Sequence, residues 1–209
     1  MCTNYLKYSW FAASGTEAIE ASIKIAKLYT GKSAFIVALK GFHGKTMGAL
    51  SLMGKADYRA PMGALYAGQV YHVPFGDADA VEKQLEICEK VGIGVAAVMF
   101  EPIQGESGAI VPPDDFWPRI RAATKKYNVL LIADEVQTGL ARTGKLWGSA
   151  FLVNELQPTP TRDEKMIAAD AGRKYLRMSE NKQTGSLGAK KKSRTSTEAR
   201  PVVPLVWGD

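Results

Sequence analysis

The stretch Val129-Leu130-Leu131-Ile132-Ala133-Asp134-Glu135-Val136-Gln137-Thr138-Gly139 decides the fold. Its first five residues are apolar without alternation, so both faces of the strand they form are buried, as in a parallel sheet covered by helices. The run stops at two carboxylates and a glycine-containing loop. In open α/β sheets, ligands sit just beyond the carboxyl ends of such strands. Asp134 is therefore placed to meet a ligand, and its charge suits a cationic one. An acid at this point can equally cap a following helix or face water, since many α/β proteins end strands this way.

Comparable units flank this strand. Residues 34–39 and 94–100 are apolar runs of strand length, and residues 69–73 form a shorter one. Residues 7–13, with Tyr8, Trp10 and Phe11, are expected to end another strand. Ser14 and Glu17 have capping-box spacing, Ile19, Ile23 and Ala26 line one helical face after them, and Gly31 supplies the stop. Residues 47–53 form a short helix and residues 60–67 an irregular loop. In residues 79–91, Val81, Leu85 and Cys88 share one face while Glu82, Lys83, Glu86, Glu89 and Lys90 stay solvated. A further helix starts at Pro112-Pro113-Asp114-Asp115 and runs to Tyr127. Strand–helix alternation of this kind defines an α/β protein with a mostly parallel sheet.

At 209 residues, with 46% hydrophobic and 23% charged residues, the chain has enough apolar material for one domain with a core. Cys2 and Cys88 are far apart, with neither CxxC nor metal-ligand spacing, and they fit a reducing compartment. The longest apolar run, residues 91–100, is too short to span a bilayer, and residues 1–7 lack a signal pattern. The cytoplasm is the expected location. Residues 159–209 hold 11 of the 27 Lys and Arg but only 6 of the 21 Asp and Glu, so the net charge of +6 belongs mostly to this tail. Lys190-Lys191-Lys192 sits there among Gly, Ser and Thr, without interleaved aromatics. A basic, disordered tail is expected, and a nucleic-acid partner is not.

Four motifs carry chemistry. The helix start at Ser14-Gly15-Thr16-Glu17 presents free N–H groups and a positive dipole end, a natural seat for phosphate. Gly41-Phe42-His43-Gly44 lets the backbone bring an aromatic ring against a flat ligand; Phe42 as a core plug and His43 as a satisfied loop histidine are the plain alternatives. Glu101-Pro102-Ile103-Gln104-Gly105-Glu106 delivers two acids at a strand end, fit for a general base, an ion-pair switch or loop scaffolding. Asp134 is the fourth. A nucleotide triphosphatase also ends an apolar strand in Asp-Glu, but it needs a phosphate loop. Gly31-Lys32-Ser33 and Gly44-Lys45-Thr46 are near-misses, with Ala26 and Leu39 where the first glycine belongs. A flat, phosphorylated, cationic aromatic cofactor fits the parts better, and pyridoxal phosphate (PLP) has all three features.

From Tyr8 to Trp147 the chain resembles the class III aminotransferases, PLP enzymes of fold type I. The resemblance rests on Ser14-Gly15-Thr16-Glu17-Ala18, Gly41-Phe42-His43-Gly44, Glu101-Pro102-Ile103-Gln104-Gly105-Glu106 and Asp134-Glu135-Val136-Gln137-Thr138-Gly139, followed by Arg142-Thr143-Gly144. It is nearest to the putrescine, ornithine and acetylornithine branch, and it implies a partial large domain over residues 1–158. It also implies an amine and a 2-oxo acid as substrates, transfer from a diamine or ω-amino acid, and a homodimer. By the same resemblance, Ser14, Gly15 and Thr16 hold the cofactor phosphate, Phe42 and Val136 pack on the two ring faces, and His43 joins the cofactor site. Asp134 pairs with the pyridinium nitrogen and Gln137 with the ring hydroxyl. Glu106 matches a switch glutamate that pairs with a distant arginine, and Glu101 and Arg142 support the site.

Transamination also needs a lysine that forms a Schiff base. When Gln157-Pro158 is matched to the family's similar dipeptide, Lys165 falls at that position, but the preceding residues 159–164 are too polar for a buried strand. The change of character near residue 150 is expected to mark a truncation followed by unrelated or out-of-frame sequence. The expectation is a chain that binds PLP and is impaired in turnover. A catalytically dead remnant that associates through exposed sheet edges is the alternative.

Overall fold

The computed structural model describes residues 10–63 and 68–149, together with the backbone of Val202–Leu205. Helix α1 spans Gly15–Thr30 and closes at both ends as its sequence dictates. Ser14 is extended, and its Oγ accepts the Glu17 N–H at 3.4 Å. Glu17 Oε2 in turn accepts the N–H of Ala13 at 2.8 Å, one residue earlier than a standard capping box. At the far end Gly31 turns left-handed at φ 67°, and its N–H caps the Lys27 carbonyl.

Five strands follow: β1 (Ala34–Ala38), β2 (Val70–Val73), β3 (Val95–Phe100), β4 (Leu130–Asp134) and β5 (Val202–Leu205). They form one sheet in the order β2-β1-β3-β4-β5, and every pairing is parallel. Every residue of β1, β3 and β4 is buried, which is why these runs are apolar without alternation. Helices α4 (Ala78–Lys90) and α5 (Phe116–Lys126) cover one face. There Ile36, Val98 and Leu131 meet Val81, Leu85 and Ile120, and Phe100 packs among Phe75, Phe116 and Trp117. Helix α1 covers the other face, where Phe35, Val37, Met99 and Ile132 meet Ile19 and Ile23. Each such fully buried aliphatic or aromatic side chain stabilises the fold by roughly 1.5–3 kcal/mol. Among the described residues, no helix is long and apolar enough to cross a membrane.

Three local expectations need correction. Residues 10–13 form no strand and run directly into the cap of α1. The chain after the short helix α2 (Met47–Ser51) is not wholly irregular. A one-turn helix, α3 (Ala56–Arg59), precedes the loop expected at 60–67, a 3₁₀ turn at Ala60–Met62 begins that loop, and residues 64–67 lie outside the described residues. Within the tail expected to be disordered, Val202–Leu205 contributes an edge strand, with Leu131 opposite Val202 and Ala133 opposite Pro204. Pro204 has no N–H to give, and an edge strand tolerates that. The remainder of 150–209, including Lys165, lies outside the described residues.

Because the sheet is parallel, the loops at 39–46, 74–77, 101–115 and 135–149 all gather on its carboxyl edge. Gly31-Lys32-Ser33 precedes β1 and lies on the opposite edge, away from Asp134. That triplet cannot serve a ligand that Asp134 touches.

Candidate active site

Asp134 is the last residue of β4 and is only 3% exposed. Its Oδ2 lies 2.7 Å from His43 Nδ1, and its Oδ1 accepts the Val136 N–H at 3.1 Å. A carboxylate only accepts, so Nδ1 carries the shared proton. That leaves His43 Nε2 buried and without a hydrogen-bond partner among the described residues. The His43 backbone N–H donates to Met53 Sδ at 3.2 Å.

Glu101 follows β3 and is also buried. Its two oxygens accept the N–H groups of Phe42 and Gly105, each at 2.9 Å. Burial pushes its carboxyl above the usual carboxylate range, against the opposing pull of His43 and these two donors. Gln104 donates to the Leu39 carbonyl at 2.8 Å, and Ser107 donates to the Lys40 carbonyl at 2.6 Å. Three side chains thus lash the loop after β3 to the loop after β1. Phe42 is held half-buried, with Tyr58 edge-on at 6.0 Å between ring centroids.

The start of α1 lies against the loop after β4. A Cβ built on Gly15 would come within 2.8 Å of Val136 Cγ1, so only glycine allows this approach. The next residue, Thr16, has its Oγ1 2.7 Å from Thr46 Oγ1. Thr46 donates its hydroxyl proton to Glu20 at 2.7 Å, so Thr16 is the donor to Thr46. The Thr46 N–H returns a bond to Thr16 Oγ1 at 3.3 Å. A side chain at Gly44, where φ is +114°, would strike Thr16.

The remaining site candidates lie farther out. Gln137 is exposed, and its side-chain oxygen fills the space that a Cβ on Gly105 would need. Glu106 is exposed and pairs with Lys55, while Tyr58 donates to its other oxygen at 3.2 Å. The bond from the Lys55 ammonium is the main reason its carboxyl sits below the usual range. Among the described residues its partner is therefore a lysine. Arg142 is exposed, and its N–H donates to the Gly139 carbonyl at 3.2 Å.

Sequence reasoning passed over Glu135. It is 2% exposed and accepts the Thr138 hydroxyl, the Gly148 N–H at 2.9 Å and the Ser149 N–H at 2.7 Å. The available signal was the doublet itself: adjacent residues leaving a strand point to opposite sides, so two acids there take different work. No group of three or more potential metal ligands clusters among the described residues.

A parallel sheet with this acid, ring and helix start on one edge is the architecture of a fold type I transferase. The sequence profile of the class-III aminotransferases matches residues 3–168, and the chain belongs to that family. The matched span runs past residue 158 and includes Lys165. The chain is 51% identical over 145 residues to the putrescine aminotransferase of Pectobacterium atrosepticum, covering 68% of this chain and 31% of that protein. The crystal structure of the ornithine aminotransferase from Toxoplasma gondii superposes with a TM-score of 0.61 at 31% identity, over 68% of this chain and 34% of that one. An amine transaminase from an uncultivated Pseudomonas species, solved in its PLP-bound form, gives a TM-score of 0.61 at 32% identity, over 67% and 36%. The chain spans about a third of the length of these relatives.

Proposed function

We propose that this chain carries the PLP-binding part of a transaminase large domain. In the whole enzyme it would serve transfer of an amino group from a diamine or ω-amino acid to a 2-oxo acid. One observation carries this reading: the approach of Gly15 to Val136 sets the α1 start beside the loop that leaves Asp134. A seat for phosphate and a seat for a cationic ring nitrogen then belong to one edge, within reach of one small molecule.

The residues present fit PLP. Asp134 is buried, ordered by two donors, and still has lone pairs to accept a further N–H. The unpartnered His43 Nε2 and the two crowded glycines, Gly15 and Gly44, mark a site shaped to close tolerance. When bound, PLP supplies a ring that accepts electron density as the amino-bearing carbon loses a proton. Asp134 would keep the ring nitrogen protonated, and His43 would fix the orientation of that carboxylate. Phe42 and Val136 would take the two ring faces, and Gln137 the ring hydroxyl. The N–H groups of Gly15 and Thr16, beside the Ser14 cap, would take the phosphate; the Thr16 hydroxyl proton is committed to Thr46. Glu106, paired here with Lys55, would act as the switch glutamate that pairs with a distant arginine, and Glu101 and Arg142 would support the loops.

Lys165, the candidate for the lysine that turnover requires, follows residues too polar for a buried strand, so binding without turnover is the expected behaviour of this chain. A homodimer and a cytoplasmic setting complete the reading, supported by family membership and by the free, buried Cys88. Titrating the protein with PLP, read by absorbance and by quenching of tryptophan fluorescence, tests it. Saturable binding weakened about tenfold or more by Asp134→Ala is expected, from loss of a charge-assisted bond. Binding indifferent to that change would sink the reading, and borohydride trapping of PLP on Lys165 would overturn the expected lack of turnover.

A further inference from the structure

On the same carboxyl edge, outside β1 and β2, a cleft of about 460 Å³ opens between Leu39, Lys55, Ala56, Arg59, Ala60 and His72. Arg59 is its unusual member. Its Nε is buried and has no hydrogen-bond partner among the described residues. None of the salt bridges among the described residues involves it. Its Nη1 instead lies 3.1 Å from His72 Nε2 and 3.5 Å from His72 Nδ1.

The imidazole cannot serve as a counter-charge. His72 Nε2 lies 2.8 Å from the Met53 carbonyl, which only accepts, so Nε2 carries a proton and has no lone pair for Arg59. Only Nδ1 can accept, and 3.5 Å is at the limit of a hydrogen bond. Burial lowers the proton affinity of His72 below that of a free imidazole, the Met53 carbonyl opposes this, and the neighbouring guanidinium lowers it further. A partly desolvated guanidinium thus lines the cleft without a salt-bridge partner among the described residues, and a buried charge left unpaired is costly.

Two more features shape the cleft. The Lys55 ammonium reaches from the cleft wall to Glu106, so a second cation stands nearby on a flexible stem. Asp57 is the acid on the same helix; it acts on Lys55 through space and forms no salt bridge with Arg59. Leu39, Ala56 and Ala60 give the cleft an apolar side.

We infer that this cleft is an oxyanion subsite, in which the Arg59 guanidinium binds a carboxylate or phosphate group. Lys55 adds charge, and the apolar wall takes a short carbon chain. The subsite is separate from the seat at the start of α1 and does not depend on PLP binding there. Planar, two-point recognition suits arginine better than lysine, because its donors form a fixed fork.

The test titrates the 209-residue protein with 2-oxoglutarate and, separately, with inorganic phosphate, while arginine Nε–H and histidine ring signals are followed by NMR. Putrescine is the cationic control. Saturable shifts at Arg59 and His72 with at least one oxyanion, and none with putrescine, are expected. A response to 2-oxoglutarate alone identifies a carboxylate ligand, and a response to phosphate alone a phosphorylated one. Arg59→Gln should weaken binding about tenfold or more, and Arg59→Lys should weaken it less. If Arg59→Gln does not fold, Lys55→Met replaces it, with a smaller expected loss. No saturable shift, shifts confined to the first turn of α1, or affinity unchanged in the variants would overturn the assignment.

Discussion

His43 Nδ1 donates to Asp134 Oδ2 across 2.7 Å, joining two buried side chains 91 positions apart in the sequence. The Val136 N–H holds the other oxygen, so the carboxylate plane cannot turn. Replacing His43 with leucine keeps the burial and removes the donor. One carboxylate oxygen then loses its partner in a water-poor place, at a cost of about 1–3 kcal/mol. Urea unfolding should show a lower midpoint with an unchanged slope. PLP titration of the same variant should show weaker binding, because Asp134 would be free to rotate.

Gly15 and Val136 are fitted to each other, and that fit can be measured. Alanine at position 15 suits a helix, where it is favoured over glycine by roughly 0.5–1 kcal/mol. Here the added Cβ would meet Val136 Cγ1 at 2.8 Å. Overpacking of this kind costs about 1–3 kcal/mol and outweighs the helical gain. Gly15→Ala should therefore destabilise the chain, and Val136→Ala in the same molecule should recover most of the loss. Additive effects in this double-mutant cycle would show that the two residues do not touch in solution.

Glu101 gives stability a pH dependence of defined sign. Its folded carboxyl titrates above the unfolded one, chiefly because it is buried. Between those two values the folded state holds a proton that the unfolded state has released, so stability falls as pH rises through the window. The window starts at the ordinary glutamate value, about 4.3, and extends upward. The contribution is fully present below the window and lost above the folded value. Denaturant unfolding of the wild type and Glu101→Gln at a series of pH values isolates it. The difference between the two should move against the wild type as pH rises and then flatten.

Much of this was legible in local sequence, and the reasons are physical. α1, the three buried central strands, α4 and α5 declare themselves through period, caps and glycine stops, all within a few residues. α3 was missed because a single turn has no apolar period to read. β5 was missed because its place depends on backbone pairing with β4, some seventy positions away. At the site, Asp134 and Phe42 were legible from their places at strand ends. The bond from His43 to Asp134 and the pairing of Glu106 with Lys55 were not, since each joins loops that only the sheet brings together.

Glu135 shows how one buried acid can hold a whole loop. Its Oε2 accepts the Thr138 hydroxyl and the Gly148 N–H, and its Oε1 accepts the Ser149 N–H. Glutamine can keep its oxygen toward Thr138 and Gly148, but its amide nitrogen then faces the Ser149 N–H. Glu135→Gln should cost about 1–2 kcal/mol, the price of one orphaned donor, and Glu135→Ala about 3 kcal/mol or more. Amide exchange separates the two cases. In the glutamine variant Ser149 should exchange faster while Gly148 stays protected, and in the alanine variant both should open. Equal acceleration of both amides in the glutamine variant would mean that the loop depends on the charge rather than on the separate bonds. Because this loop carries Val136 and Gln137, its loosening in the alanine variant should also weaken PLP binding.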